Sequence, residues 1–184
     1  MKAQKNAWSE VRKKFRKLAF EALPTRFAHP MVRKTLNLRV PKAESRLSFE
    51  IVSNLDDLRA ALTLVQKNFE REGYATPTAS GLRLTPYHLE PETLVIVAKD
   101  GEQIVATTSI IPRGKSRLPL EASFELDGLF SKYGKAVEIS ALAVDPDYSG
   151  QFGQVLYNLM KSVYHCNIEL VGAELEVIGV NPKM

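Results

Sequence analysis

The stretch that decides the fold is residues 136–145, which read AVEISALAVD and are followed directly by Pro146. Apolar and β-branched residues dominate it, so it predicts a buried β-strand that ends at the proline. One carboxylate, Glu138, interrupts the apolar run. Because an unpaired carboxylate inside a sheet is costly, a glutamate at this position indicates either a partner cation or a role in catalysis.

Helices and strands are predicted in alternation around this strand. Asn54 and the acidic residues after it are typical of a helix start, and Gly73 of a helix end. Asp100-Gly101 separates two apolar runs and indicates a β-hairpin. The helix that starts after Asn54 is predicted to bury Leu55, Leu58, Leu62, Val65 and Phe69. The predicted elements are a strand over 47–52, a helix over 55–73, a long loop over 74–91, strands over 93–98 and 103–111, a helix over 120–134, the 136–145 strand, a helix over 152–165 and a strand over 173–180.

Length and composition favour one α/β domain. The chain has 184 residues, enough for one full core. Its single cysteine, Cys166, excludes an internal disulfide, and its three histidines lack the spacing of metal ligands, so we expect no metal. The sequence contains no apolar run of about twenty residues and no secretory signal, so we expect a cytoplasmic protein.

Charge is distributed unevenly along the chain. Residues 1–46 hold 13 Lys/Arg and 3 Asp/Glu, a net charge of +10, whereas the remaining residues hold 12 and 18, a net charge of −6. We therefore expect two parts, a basic amphipathic helix with a proline-containing connector over 1–45 and a folded domain over 46–184. The helix is predicted over residues 7–22. Its basic face includes Arg12, Lys13, Arg16 and Lys17.

Such a leader has three candidate targets. An anionic membrane surface, a nucleic acid or an acidic protein would each complement its charge. No nucleic-acid-binding motif accompanies the basic residues, so nucleic acid ranks behind the other two. Apolar residues on the opposite face of the helix, Trp8 and Phe15 among them, would suit a membrane interface.

Three segments together carry a resemblance to a known family. Residues 82–89 read LRLTPYHL, residues 118–124 read LPLEASF, and the 136–145 strand follows them. In this order they resemble the long-chain N-acyl amino acid synthases (FeeM-type), which have the N-acetyltransferase (GNAT) fold and are related to the acyl-homoserine-lactone synthases. The resemblance covers about residues 45–182. It implies an α/β (α+β) domain in which helices flank a mixed central sheet, as in the GNAT fold.

The relatives continue beyond an Asn-Pro pair that lies near the end of this chain. The resemblance therefore predicts that the C-terminal strands of the GNAT fold are missing from residues 46–184. A truncated and catalytically dead acyltransferase domain, which binds membrane or carrier protein, is for this reason one alternative function.

The resemblance implies transfer of a long-chain fatty acyl group from acyl carrier protein to the amine of an amino acid. Glu138 is the expected base or amine anchor, and Arg83 is the expected anchor of a substrate carboxylate or a partner of Glu138. Ser140 lies on the same strand face as Glu138 and is expected to position the amine. Ala141 stands where the homoserine-lactone enzymes usually have arginine, which counts against a lactone synthase. The expected substrate-binding residues are Tyr87, His88, Leu142 and Phe124.

The segment after the Glu138 strand bears on the acyl donor. Acetyl-CoA users of this fold hold the pyrophosphate with a Gln/Arg-x-x-Gly-x-Gly/Ala loop. Here residues 147–153 keep only the glycines, and Asp145 and Asp147 would repel phosphate. The expected donor is therefore an acyl-phosphopantetheine on acyl carrier protein, with no tightly bound cofactor, and an acyl-CoA donor is the alternative. Acyl carrier proteins are acidic, so Arg12, Lys13, Arg16 and Lys17 are expected to contact the carrier protein or the inner face of the membrane.

Overall fold

The computed structural model describes residues 46–180, apart from the side chains of Ser149, Gln151 and Phe152. The predicted leader helix over 7–22 and the Asn-Pro pair after residue 180 lie outside this range. The described strands are β1 Ser48–Ile51, β2 Leu94–Asp100, β3 Gln103–Pro112, β4 Ala136–Val144 and β5 Leu175–Ile178. The described α-helices are α1 Leu55–Arg71, α2 Asp127–Phe130 and α3 Phe152–Cys166.

The five strands form one mixed sheet in the order β1-β2-β3-β4-β5. Strands β1 to β4 pair antiparallel with their neighbours, whereas β4 and β5 pair parallel, with Glu138 opposite Val177. A parallel pair requires a crossover connection, which α3 supplies between β4 and β5. The predicted mixed central sheet flanked by helices is confirmed.

Helix α1 begins as its sequence predicts. The side chain of Asn54 accepts a hydrogen bond of 2.8 Å from the backbone N–H of Asp57, and Asp56 and Asp57 lie in the positive first turn. The predicted buried stripe is wrong at its first position, because Leu55 is 71% exposed. The stripe begins about one turn later, with the half-buried Leu58.

The predicted hairpin joins β2 to β3. Asp100 pairs with Gln103, so Gly101 and Glu102 form a two-residue loop, and Gly101 has a φ of +60°. Two-residue hairpin loops need positive φ at their first residue, which glycine adopts at little cost. This hairpin sets the register between β2 and β3, and β3 in turn pairs with β4, the strand of Glu138.

Helices α1 and α3 cover opposite faces of the sheet. One apolar cluster joins α3 to the sheet and includes Val137 and Ile139 of β4. A second cluster joins α1 to the other face and includes Ala143. Because successive side chains alternate along a strand, Glu138 and Ser140 lie on the α1 face.

The prediction of one helix over residues 120–134 is wrong. The structure has a 3-10 turn over Pro119–Ala122 and the single-turn helix α2, with irregular chain between them. The carboxylate of Glu121 accepts a hydrogen bond of 2.7 Å from the Leu118 N–H and pairs with Arg113, which holds the first turn tight. Apolar residues here do not form one buried stripe, since Phe124 is 61% exposed.

Candidate active site

Glu138 occupies the middle of the sheet, where β4 is flanked on both sides. Its strand partners are Ile111 of β3 and Val177 of β5, and the residue is only 4% exposed. Its Oε2 atom accepts a hydrogen bond of 2.7 Å from the backbone N–H of Leu120, in the 3-10 turn. No cation of residues 46–180 pairs with it, so one amide group is the main support of this buried charge.

The surroundings of Glu138 make it a better proton acceptor than an ordinary glutamate. Burial raises the pKa of its carboxyl group, and the nearby negative charge of Glu121 raises the pKa further. The hydrogen bond from Leu120 acts in the opposite direction and lowers the pKa, but burial is the largest effect. A carboxyl group whose pKa is raised in this way is typical of a functional site.

Hydroxyl groups extend the polar site along the same face of the sheet. Ser140 of β4 is the strand partner of Ser109 of β3, which is 2% exposed. The Nε2 atom of His88 lies 3.5 Å from the Ser109 hydroxyl. Ser109, Ser140 and Glu138 therefore form one polar row on this face of the sheet.

His88 is held as a neutral imidazole. Its Nδ1 atom accepts a hydrogen bond of 3.1 Å from the backbone N–H of Thr85, so the ring proton resides on Nε2, which faces Ser109. Burial lowers the pKa of His88, which also favours the neutral ring. The loop that carries His88 thus presents an N–H donor to the row of hydroxyl groups.

A bulge interrupts β4 directly after Ser140. Ser109 pairs with Ser140 and Thr107 pairs with Ala143, so Ala141 and Leu142 together face Thr108 alone. Ala141 has a φ of +54°, the only positive φ of a non-glycine residue in the part of the chain that the structure describes. A bulge leaves one residue outside the hydrogen-bonded ladder, next to the polar row.

An apolar trough of about 720 Å³ lies beside Glu138 at the β5 side of the sheet. Leu120 lines the trough and also donates its backbone N–H to Glu138, so the carboxylate lies directly behind one wall. Phe124, which the sequence predicts to bind substrate, lines the trough as well. The complete lining is Tyr74, Leu120, Phe124, Leu126, Val177, Ile178, Gly179 and Val180.

The other predicted site residues differ in their positions. Tyr87 lines a separate cleft of about 280 Å³ that also contacts Ile111, the strand partner of Glu138. Arg83 lies over the ring of Phe69, 5.3 Å from its centroid, and pairs with no carboxylate among residues 46–180. A role for Arg83 as the ion-pair partner of Glu138 is therefore not seen, and its guanidinium group is available to a ligand.

The structure separates Leu142 from Glu138. The bulge turns Leu142 toward the α3 face, where it packs against the core cluster, whereas Glu138 lies on the α1 face. Leu142 also lines a cleft of about 250 Å³ together with residues near the C-terminal end of α1. The basic residues Arg12, Lys13, Arg16 and Lys17 lie outside the described residues.

Three contributors to the site have no counterpart in the sequence-based prediction: Ser109, Thr85 and the backbone N–H of Leu120. Thr107-Thr108-Ser109 forms a run of hydroxyl residues inside an apolar strand, and this run is a usable signal. Thr85 precedes His88 by three residues, the spacing at which the ends of a short helical turn cap each other. The backbone N–H of Leu120 could not be predicted, because every residue except proline carries such a donor.

Three backbone N–H groups of the turn between β4 and α3 are already hydrogen-bonded within the protein. The N–H of Asp145 donates to Val105 O at 2.8 Å, that of Asp147 to the Asp145 side chain at 3.0 Å, and that of Tyr148 to Asp145 O at 2.9 Å. Backbone N–H groups that are already bonded cannot cradle a pyrophosphate. The two aspartates make the same turn negative.

Two further features of residues 46–180 bear on ligands and membranes. No three His, Cys, Asp or Glu residues in this range lie close enough together to hold a metal ion. Within the same range, no helix has both the length and the apolar character needed to cross a bilayer.

Comparison with solved structures identifies the class. A five-stranded mixed sheet in this order is the GNAT fold, which the chain shares with an aminoglycoside acetyltransferase from an uncultured soil metagenomic sample (17% identity, 76% of this chain and 81% of that chain covered, TM-score 0.51). Escherichia coli ElaA is similar to the same extent (16% identity, 74% and 80% covered, TM-score 0.52). The protein thus has the GNAT fold.

The family follows from a match over residues 60–184, about two thirds of the chain, to the model of the N-acyl amino acid synthase FeeM family. The chain belongs to this family. It is also similar to the solved structure of FeeM, an N-acyl amino acid synthase from uncultured soil microbes, with 23% identity, 74% of this chain and 72% of that chain covered, and a TM-score of 0.63. A comparison with functionally curated proteins finds no significant match.

Proposed function

We propose that the protein transfers a long-chain fatty acyl group from acyl carrier protein to the amine of an amino acid, giving an N-acyl amino acid. Membership of the N-acyl amino acid synthase FeeM family supports the reaction class. The observation that carries the proposal is Glu138, a buried carboxylate with a raised pKa, no cationic partner among residues 46–180, and an apolar trough behind the turn that holds it.

Acyl transfer to an amine requires that the ammonium group lose a proton so that its nitrogen can attack the thioester carbonyl carbon. Glu138 accepts this proton, directly or through one water molecule, and its raised pKa suits it to the task. The C–N bond forms, and the tetrahedral intermediate then collapses with cleavage of the C–S bond. The phosphopantetheine sulfur leaves as a thiolate and takes up the second proton that the attacking nitrogen loses on becoming an amide, so no protein nucleophile is needed.

Negative charge develops on the carbonyl oxygen in the tetrahedral intermediate. The bulge at Ala141 and Leu142 supplies a backbone N–H outside the regular ladder, close to the polar row, as the donor to this oxygen. Ser140 and Ser109 then position the amine beside Glu138. The Nε2–H group of His88 donates to the Ser109 hydroxyl oxygen. The hydroxyl proton of Ser109 then remains available to donate to a ligand.

Two sides of the site receive the two substrates. The trough between the 3-10 turn and β5 takes the acyl chain, since its lining is predominantly apolar. The amino acid enters from the loop that carries Arg83, Tyr87 and His88. The unpaired guanidinium group of Arg83 binds its carboxylate through a two-pronged contact.

The donor is the acyl-phosphopantetheine arm of acyl carrier protein rather than acyl-CoA. The N–H groups of Asp145, Asp147 and Tyr148 are already hydrogen-bonded, and the carboxylates of Asp145 and Asp147 oppose a pyrophosphate. A carrier-protein arm lacks the adenosine diphosphate part of CoA and needs no such cradle. Because this donor resides in the cytoplasm, we propose that the reaction takes place there, with the basic leader in contact with the acidic carrier protein.

Replacing Glu138 by glutamine tests the proposal. Glutamine keeps the size of the side chain and still accepts the Leu120 hydrogen bond, but it cannot take up a proton. We expect turnover with acyl carrier protein donors to fall by about 100-fold or more, within the range that a positioned base contributes. Release of the carrier-protein thiol measures the rate, and circular dichroism verifies the fold.

The matched control is Glu125→Gln, which changes an exposed carboxylate near the same loop and should leave turnover unchanged. Full activity of Glu138→Gln would reject Glu138 as the base. If the unmodified protein transfers no acyl group from either carrier protein or CoA, a non-catalytic domain that binds carrier protein or membrane becomes the better explanation.

A further inference from the structure

The carboxylate of Glu138 depends on the 3-10 turn over Pro119–Ala122. Its Oε2 atom receives the Leu120 N–H at 2.7 Å, and no other hydrogen bond joins the side chain to residues 46–180. A backbone amide cannot be adjusted by a rotamer change. The position of the turn therefore sets the position of the carboxylate.

A partly buried ion pair fixes this turn. The side chain of Glu121, 3% exposed, receives two hydrogen bonds from Arg113, at 3.1 Å from Nε and 3.0 Å from Nη2. The Oε2 atom of Glu121 also accepts the Leu118 N–H at 2.7 Å. Leu118 is itself 1% exposed. One carboxylate, that of Glu121, therefore holds the residue before the turn through its N–H and anchors the turn itself through Arg113.

Arg113 is itself held rigidly. Its backbone N–H donates to Ala136 O at 2.8 Å and so extends the pairing of β3 with β4, the strand of Glu138. The guanidinium group lies 4.2 Å from the centroid of the Phe130 ring and 3.6 Å from Asp127. The ion pair thus connects the sheet to the turn at a defined distance.

We propose that Arg113 and Glu121 are positioning residues, which hold the Leu120 N–H on Glu138 and leave its Oε1 atom directed to the incoming amine. This inference rests on the proposed function of Glu138 as the base. Arg113 has a second effect, because it neutralises Glu121, a negative charge that acts on Glu138. Without Arg113, Glu138 would lose its amide support and face an uncompensated carboxylate.

The test is Arg113→Gln, with Arg113→Lys as a variant that keeps the charge but not the paired geometry. Both losses act in one direction, so we expect the apparent pKa of Glu138 to rise. The acid limb of the pH profile of kcat/KM should move to higher pH by about 0.5–1 unit, and kcat at neutral pH should fall about tenfold. The donor KM should change less than twofold, and Arg113→Lys should lie between Arg113→Gln and the unmodified protein.

Arg117→Gln is the matched control. The Arg117 side chain is 71% exposed and lies 3.9 Å from Glu121, outside the two-hydrogen-bond contact between Arg113 and Glu121. The pH profile of the Arg117→Gln variant should therefore not move. NMR titration of the Glu138 carboxyl carbon, assigned with Glu138→Gln, gives a readout independent of turnover. Since Arg113→Lys keeps the cation, it allows the same measurements if Arg113→Gln does not fold.

Unchanged NMR titration and pH profiles in both Arg113 variants would overturn the inference. A fall in kcat with no shift of either titration would also overturn it, since it would indicate a general loss of structure. If Glu138→Gln retains full activity while the NMR titration shifts as expected, the proposed base is rejected, whereas the hold of Arg113 on Glu138 is supported.

Discussion

Ala141 is the residue with the least ordinary backbone in the sheet. Its φ of +54° is rarely adopted by residues other than glycine and asparagine, and this conformation costs about 1–3 kcal/mol. The cost is offset by the sheet around it, because the register on both sides is fixed by the pairs Ser109–Ser140 and Thr107–Ala143.

The bulge leads to a prediction on stability. In a regular strand Ala141→Val would be neutral or stabilising, since valine favours β-structure. At positive φ a β-branched side chain clashes with its own backbone, so we expect Ala141→Val to lower the free energy of unfolding by about 1–3 kcal/mol. Ala141→Gly should stay within about 1 kcal/mol of the unmodified protein, because glycine relieves the strain but gains freedom when unfolded. Urea denaturation measures both, and an Ala141→Val variant as stable as the glycine variant would contradict the bulge.

At the scale of elements, the loop segment that carries Thr85 and His88 is attached to both α1 and the sheet. The segment is connected to α1 through the Arg83 N–H, which donates to Leu62 O at 3.1 Å, and to β3 through His88 and Ser109. Its polar contacts are local and require His88 to be neutral. Protonation of Nδ1 would place an N–H donor against the Thr85 N–H.

This requirement predicts a pH dependence of stability. The folded state lowers the pKa of His88 below its ordinary value of 6.5, so the unfolded chain binds the proton first as the pH falls. The free energy of unfolding should therefore decrease below about pH 6.5, with a slope of at most about 1.4 kcal/mol per pH unit, and level off below the pKa of the folded state. His88→Asn keeps an acceptor for Thr85 and should reduce this slope in urea unfolding at pH 5 to 8.

His165→Asn is the control for this measurement. His165 lies at the end of α3, and its Nδ1 atom is 3.8 Å from Glu169, far along the chain from the site. The pH slope should persist in this variant. A slope that disappears with His165→Asn and survives in His88→Asn would show that another group causes it.

Elements governed by local physics could be predicted from the sequence. The capped start of α1 and the Asp100-Gly101 hairpin each depend on contacts between near neighbours in the chain. The helix predicted over 120–134 failed because Glu121 is drawn to Arg113, eight residues earlier, which no periodicity records. Long-range ion pairs of this kind override a weak helical pattern.

The candidate site was predictable to the same degree. Glu138 stands out as a carboxylate in an apolar strand, and its partner Ser140 follows from alternation. Arg83 lies over Phe69 and does not pair with Glu138, so its predicted role as anchor of a substrate carboxylate stays a prediction. The bulge directs Leu142 to the α3 face, away from Glu138. A one-residue insertion in a strand cannot be read from a run of alanine, leucine and valine.

At the scale of the whole molecule, the charge is divided between two parts of the chain. Residues 1–46 carry a net charge of +10 and the rest carries −6, by the count of basic and acidic residues. An acidic donor protein would be repelled by the body of the enzyme and attracted by the leader. The leader would then decide the affinity for the donor while the site decides the rate of the chemical step.

Charge reversal in the leader tests this division of roles. Changing Arg12, Lys13, Arg16 and Lys17 to glutamate should raise KM for an acyl carrier protein donor by about 10–100-fold, since electrostatic steering contributes effects of this size. The kcat for that donor, and the weaker turnover with a matched acyl-CoA donor, should not change. The control reverses Arg26, Arg33, Lys34 and Arg39, which alters the net charge equally outside the predicted helix 7–22.

The two quadruple variants distinguish the possible partners of the leader. A rise in KM confined to the first variant, and diminishing at high salt, supports a carrier-protein contact on the predicted helix. An equal rise in both variants would indicate net charge rather than a defined face. If KM stays constant while the first variant loses binding to vesicles of anionic lipid, the leader serves the membrane instead. A clear preference of the unmodified protein for acyl-CoA would contradict the choice of donor. The N–H groups of Asp145, Asp147 and Tyr148 are already bonded, and residues 145–153 include no basic side chain, so these parts of the turn after β4 do not favour a pyrophosphate.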